Sequence, residues 1–291
     1  MFKGSFVALV TLFRDGRVDE KRYQEFVEWQ VAEGTHGLVP MGTTGESPTL
    51  SHEEDMRVVE LCIEAAAGRV PVVAGTGSNS TAECIELTQS AKEAGADAVL
   101  IVTGYYNKPT QEGLYQHYKA VNDAVDIPII VYNIPGRTGV DISVDTMARL
   151  AKLPNVVGCK ESTAAADRAS KQRARIGKDF CQMSGEDAAV LGLLGMGGHG
   201  AISVTANVAP GLCSKMHMLW QEGDHEGARV IQDRLMPLHE ALFVETSPAP
   251  IKYAASLIGY GDGSVRLPLV EPSDATKERV SQAMRTVGLI N

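Results

Sequence analysis

Eight alternations of a short apolar run with a longer amphipathic stretch, over about 215 residues, predict a (β/α)8 TIM barrel with a C-terminal helical extension. Two further observations agree. The apolar runs hold few polar residues, as parallel strands buried on both faces require. Gly34, Gly68 and Gly95 fall just past the helical stretches, where a left-handed cap favours glycine. A doubly wound open sheet usually has fewer units, and no GxGxxG follows the first strand here.

Each element has a local reason. Phe6 to Phe13 reads as the first strand and Asp19 to Glu33 as the first helix. Gly37 to Gly42 is a strand. Ser51 to Ala67 is a helix opened by a capping box of Ser51 with Glu54. Val70 to Ala74 is the third strand. Ser80 to Ala94 follows, with Ser80 and Glu83 in the same capping relation. Ala98 to Thr103 and Pro128 to Asn133 are strands, followed by helices over Gln111 to Ala124 and Ser143 to Ala151. Val156 to Lys160 is a strand, and a helix runs from about Ala164 to Ile176. Phe180 to Ser184 and Gly200 to Val204 are the last strands, with a short helix over Asp187 to Leu194 and another starting near Val208.

From about residue 222 the alternation stops. Glu226 to Val244, Ala249 to Leu257 and Ser273 to Thr286 read as helices. Residues 1–222 are therefore expected to form the barrel with its active site, and residues 223–291 a helical extension.

The formal charge of −9, with no run of Lys or Arg, argues against nucleic acid or an anionic membrane as partner. No apolar stretch reaches the roughly 20 residues of a membrane helix, and the N-terminus lacks a signal-peptide core. Cys62, Cys84, Cys159, Cys181 and Cys213 are odd in number and never form a CxxC, which fits a reducing cytoplasm. The seven histidines show no paired ligand spacing, so neither a metal nor a cofactor is expected. His199, in the turn before the last strand, reads as structural.

In such a barrel, the residues just after each strand face one mouth. Lys160 ends the run Val156-Val157-Gly158-Cys159. An ammonium in apolar surroundings loses hydration, which favours the neutral amine, and a neutral amine attacks ketones to form a Schiff base. Alone, the same pattern describes a lysine that ends a strand and snorkels to water. After the second strand, Gly42-Thr43-Thr44-Gly45-Glu46 offers backbone N–H groups and hydroxyls suited to a small carboxylate, or is simply a Gly-rich turn. Tyr105 and Tyr106 follow the fourth strand, and Tyr132 lies at the end of the fifth. A tyrosine hydroxyl near a lysine and a threonine can pass protons. Arg137, on a Pro-Gly loop, can clamp a second carboxylate. Together these groups describe an α-keto acid docked by its carboxylate, converted to an enamine on Lys160 and added to an aldehyde.

Gly-Thr-Thr-Gly-Glu at 42–46, Tyr-Asn-Ile-Pro-Gly-Arg-Thr at 132–138 and Gly-Cys-Lys-Glu-Ser at 158–162 resemble the pyruvate-dependent class I aldolases of the dihydrodipicolinate synthase and N-acetylneuraminate lyase superfamily. The resemblance covers nearly the whole chain and is strongest to the dihydrodipicolinate synthase branch. It implies a lyase that condenses pyruvate with L-aspartate 4-semialdehyde in the lysine and diaminopimelate pathway. Lys160 would carry the Schiff base, and Tyr132 would be the general acid/base, linked to Thr44 and to Tyr106 of a neighbouring subunit. Thr43 and Thr44 would hold pyruvate, Arg137 the semialdehyde carboxylate, and Gly185 and Ile202 would line the same site. The resemblance also implies a homotetramer, a dimer of tight dimers. Ser47, Leu50, His52, Asn79, Glu83 and Tyr105 match an allosteric pocket for the inhibitor L-lysine. Asp55 departs from the histidine or lysine often found at its position in that pocket. Sialic acid lyases usually show Ser-Thr in place of Thr43-Thr44 and lack an equivalent of Arg137. A keto-deoxy sugar acid aldolase or dehydratase is the alternative reading.

Overall fold

A computed structural model describes residues 2–163, 165 and 167–291. Strands β1 (Gly4–Ala8), β2 (Gly37–Val39), β3 (Val73–Gly75), β4 (Ala98–Val102), β5 (Ile129–Asn133), β6 (Val156–Glu161), β7 (Cys181–Ser184) and β8 (Gly200–Ser203) come in turn along the chain. Each is followed by a main helix: α1 (Glu20–Ala32), α2 (His52–Ala66), α3 (Thr81–Ala94), α4 (Gln111–Ala124), α5 (Val144–Leu150), α6 (Arg168–Ile176), α7 (Val190–Gly195) and α8 (Pro210–Glu222). The extension supplies α9 (His225–Ala241), α10 (Ala249–Leu257) and α11 (Asp274–Val287). The strands form one sheet in the order β2-β1-β8-β7-β6-β5-β4-β3, the strand sequence of a (β/α)8 barrel.

The chain divides into two compact units, one of Val72–Ile202 with residues 1–3, the other of Gly4–Pro71 with Ser203–Asn291. In the first, β3 to β7 pair in parallel with sequential neighbours. Val99, Ile101, Ile129, Val131, Cys159 and Met183 are inaccessible, as strands covered on both faces require. In the second, β1 pairs with β2 in parallel, and Tyr23, Phe26, Leu38, Leu235 and Ile251 are fully buried.

Several boundaries differ from expectation for identifiable reasons. The first apolar run stops being a strand at Ala8, because the Val10 N–H is taken by the Asn207 side chain at 3.0 Å. Phe13–Arg14 instead pairs antiparallel with Arg17–Val18 around Asp15-Gly16, both at positive φ, the turn chemistry of a tight hairpin. The third strand starts at Val73, beyond Pro71, which has no N–H to give to a ladder. Helix α6 begins at Arg168; Ala164, its expected start, lies outside the described residues.

The two expected capping boxes part company. In α2, Ser51 Oγ accepts from Glu54 N at 3.2 Å and Glu54 Oε2 accepts from Ser51 N at 3.0 Å. In α3, the Ser80 side chain makes no cap bond. Ser78 stands two residues earlier, where its Oγ accepts from Ser80 N and donates to Glu83. Glu83 thus serves the approach to the helix instead of its first residue.

Glu54 does more than cap. Arg266 grips both its oxygens, at 2.6 and 2.7 Å, and holds its carboxyl at about 2 against an ordinary 4.5. A lowered carboxylate pKa stabilises the fold above the unfolded value and loses that contribution as pH falls through the folded one. Glu54→Gln should therefore flatten the stability curve between pH 4.5 and 2. The partly exposed pair limits the effect to about 1 kcal/mol. Acid titration followed by circular dichroism checks it; an unchanged acid limb would remove this pair from the stability of the fold.

Candidate active site

Lys160 sits one residue from the C-terminal end of β6 and is 6% exposed. Parallel register sets it opposite Tyr132 of β5 and Met183 of β7. Its Nζ lies 4.2 Å from the centroid of the Tyr132 ring, and Tyr132 is itself buried. The expected amine and the expected hydroxyl-bearing ring are thus neighbours, brought together by register across 28 residues of sequence.

The next position on each strand is polar and buried too. Asn133 pairs in register with Glu161 and donates to its Oε1 at 3.1 Å. The same amide donates to Asp141 Oδ1 at 2.8 Å, and Asn133 Oδ1 accepts from Ile142 N at 3.0 Å. Arg168, the first residue of α6, places Nε 2.6 Å from Glu161 Oε2 and Nη1 3.0 Å from Asp141 Oδ2. Burial pushes the Glu161 carboxyl up, and Arg168 and Asn133 oppose that rise.

Gly185, just past β7, donates its N–H to Glu161 O at 2.8 Å. A Cβ at this position would stand 2.9 Å from Lys160 Cε and still closer to Ser162 Oγ. The glycine keeps the space beside the lysine open. Gly185→Ala should press on Lys160; if the amine reacts as the sequence predicts, a shift of about 1 Å should lower turnover on the order of 100-fold. Steady-state kinetics on a folded variant checks this; wild-type turnover would mean Lys160 adapts without loss. Ile202, on β8, is fully buried.

Arg137 stands on a short helical turn, Pro135–Thr138, where a loop was expected. Pro135 starts that turn, and Gly139 ends it in the left-handed region. Glu186, absent from the sequence reading, lies within the electrostatic reach of both Arg137 and Lys160. Burial raises its carboxyl, and Lys160 pulls it back. A cavity of about 310 Å³ is lined in part by Glu161, Ser184, Glu186, Ala189 and Leu193. The signal for Glu186 was its place directly after a strand end, beside the predicted Gly185.

Tyr106 is not gathered into this group. It is 90% exposed and holds a left-handed φ of 68°. Tyr105 is partly exposed, and its carbonyl accepts from the Asn79 amide at 3.3 Å, so two of the predicted lysine-pocket residues do meet. Glu83 is drawn to Ser78, as described above. Leu50 is buried, Ser47 opens the 3-10 turn Ser47–Thr49, and His52 is the first residue of α2.

Thr43 and Thr44 belong to the other unit, on the 3-10 turn Thr43–Gly45. Glu46 closes that turn with a left-handed backbone, and its side chain anchors it. Lys252 Nζ from α10 meets Glu46 Oε1 at 2.5 Å with both side chains essentially inaccessible. Arg266 N and Thr49 Oγ1 donate to the second oxygen at 3.0 and 3.2 Å. Burial pulls the Lys252 amine down to about 8 against the attraction of Glu46.

His199 is structural as expected. Its Nδ1 accepts from Gln182 N at 3.0 Å, and burial lowers its pKa. Among the described residues, no helix is long and apolar enough to cross a membrane.

Residues 1–287 match the dihydrodipicolinate synthetase family. The chain belongs to this family. It is 63% identical over 290 residues to the 4-hydroxy-tetrahydrodipicolinate synthase of Rhodospirillum centenum, with all of both chains covered. The Bradyrhizobium diazoefficiens enzyme of the same name is 62% identical, covering 100% of this chain and 98% of the relative. Among solved structures, dihydrodipicolinate synthase from Aquifex aeolicus superposes with a TM-score of 0.97 at 46% identity, covering 99% of each chain. The chloride-inhibited Acinetobacter baumannii synthase complexed with pyruvate gives 0.97 at 45%, with both chains fully covered. The Cyanidioschyzon merolae synthase with lysine bound gives 0.96 at 37%, with 99% of each covered. These superpositions span the barrel strands and the C-terminal helices alike and establish the (β/α)8 fold class.

Proposed function

We propose that this chain condenses pyruvate with L-aspartate 4-semialdehyde to 4-hydroxy-tetrahydrodipicolinate, through a Schiff base on Lys160. The observation that carries the reading is the buried Lys160 amine 4.2 Å from the Tyr132 ring at the end of a parallel strand. Full-length relatives named for this synthase activity favour it over a keto-deoxy sugar acid aldolase.

The chemistry follows from the groups. The Lys160 amine adds to the keto carbon, water leaves, and an iminium ion remains. Loss of a methyl proton gives the enamine, whose carbon bonds to the semialdehyde carbonyl. The semialdehyde's own amine then attacks the iminium carbon, closes the ring and releases Lys160. Tyr132 moves the protons, with Thr44 and the Tyr106 of a second subunit completing its relay. Its 90% exposure suits Tyr106 to such a partner. The Thr43–Thr44 turn takes the pyruvate carboxylate, and Arg137 takes that of the semialdehyde. The assembly is a homotetramer built of tight dimers, in the cytoplasm. L-Lysine inhibits through Ser47, Leu50, His52, Asn79, Glu83 and Tyr105.

The test is a coupled assay with pyruvate, the semialdehyde and a reductase that consumes the product, following nicotinamide oxidation. Turnover that needs both substrates supports the reading. No turnover in a sample still trapped by borohydride with pyruvate would move the assignment to a sugar-acid aldolase. Arg137→Ala should raise KM for the semialdehyde at least tenfold, the loss of a charge-assisted bond of about 1.5–3 kcal/mol. Its rate of pyruvate trapping should change far less. Equal losses in both would assign Arg137 to the fold.

A further inference from the structure

We propose that Glu161 and Arg168, with Asn133 and Asp141, are positioning residues that hold Lys160 against Tyr132. The inference rests on Lys160 being the Schiff-base residue. Three of the four lie close along the chain to a residue assigned to the site. Asn133 follows Tyr132 on β5, and Glu161 follows Lys160 on β6. Asp141 lies four residues beyond Arg137. The cross-strand pairs Tyr132–Lys160 and Asn133–Glu161 are consecutive rungs of one ladder. The second rung is fastened by a side-chain bond as well as by backbone, at 3.1 Å.

Arg168 closes the arrangement. Its guanidinium spans Glu161 and Asp141, and Nη2 donates to the carbonyl of Ile142. Gln172, one turn along α6, donates to Glu161 Oε2 at 3.4 Å. One guanidinium, two carboxylates and two carboxamides thus link β5, β6, α6 and the segment after Arg137. Asn133 and Glu161 are almost fully buried. Alternating side chains along β6 point to opposite faces, so Glu161 faces away from the lysine. It acts through the strand and touches no reacting atom.

The geometry that matters for addition is the approach of the amine to a bound ketone, and small displacements are costly there. Two variants test the role. Arg168→Lys keeps the charge but cannot span both carboxylates. Glu161→Gln with Arg168→Met removes both charges from the interior and avoids stranding one of them. The readout is the rate of borohydride-trapped pyruvate adduct on Lys160, per folded molecule, alongside the thermal midpoint.

The double variant should form adduct on the order of 100-fold more slowly, and Arg168→Lys roughly tenfold more slowly. Both should retain a cooperative thermal transition. A double variant that folds and traps pyruvate at the wild-type rate overturns the proposal. If it does not fold, Arg168→Lys decides alone, and a wild-type adduct rate there overturns it equally. Failure of the underlying reading looks different: wild-type protein would give no adduct, or one on another lysine, and the positioning role would fall with it.

Discussion

Lys160→Ala is expected to abolish pyruvate trapping and to lower kcat/KM by roughly 10³-fold or more, about 4 kcal/mol of transition-state stabilisation. Loss of the covalent route is the reason: without an amine, no iminium forms and the methyl protons keep their ordinary acidity. Binding of pyruvate's carboxylate does not require the amine, so affinity for pyruvate should change much less. Mass analysis after borohydride reduction separates the possibilities. The informative competitor is Lys252, the other buried lysine among the described residues, whose amine is pulled down to about 8. Its nitrogen is held at 2.5 Å by Glu46 inside the protein, so it is not available to a ketone. An adduct on Lys252 in the Lys160→Ala protein would show the nucleophile to be misassigned.

How much of this was written in the sequence depends on the range of the interaction. The alternation of runs located each βα unit, because burial of parallel strands and local capping act within a few residues. Lys160 was legible for the same reason: an apolar run that ends in lysine puts an amine at a strand end. The neighbours of Lys160 and Tyr132 were not. Glu161, Asn133, Arg168 and Asp141 carry polar side chains in segments that composition describes equally well as strand ends and turns. Only the register of β5 against β6 turns them into one network. The α3 cap shows the same limit at short range. Ser80 and Glu83 have capping-box spacing, but Ser78 competes for the same carboxylate, and spacing alone does not rank two serines. The end of β1 was misplaced because Asn207, 197 residues away, takes the Val10 N–H that a longer strand would have used.

A contact between residues 206 apart in the chain carries the second large effect. Lys252→Met should destabilise the protein by about 3–5 kcal/mol, because it leaves the Glu46 carboxylate buried without its cation. Arg266 N and Thr49 Oγ1 would still donate to Glu46, but two neutral hydrogen bonds do not replace an ammonium in a site with no access to water. Adding Glu46→Gln should return most of the loss, since the amide keeps acceptors for those donors and carries no charge. Urea unfolding of the two variants reads both numbers on one scale. Equal midpoints for the single and the double variant would mean that the stranded charge costs nothing and that Lys252 acts only through packing on Phe13, whose ring centroid lies 3.7 Å from its Nζ. The expected asymmetry has a structural meaning. Residue 252 belongs to the helical extension and residue 46 to the Gly-Thr-Thr-Gly-Glu turn, 206 residues apart. Unfolding of α10 would therefore release the anchor of the turn that carries Thr43 and Thr44. The extension belongs to the energetics of that turn.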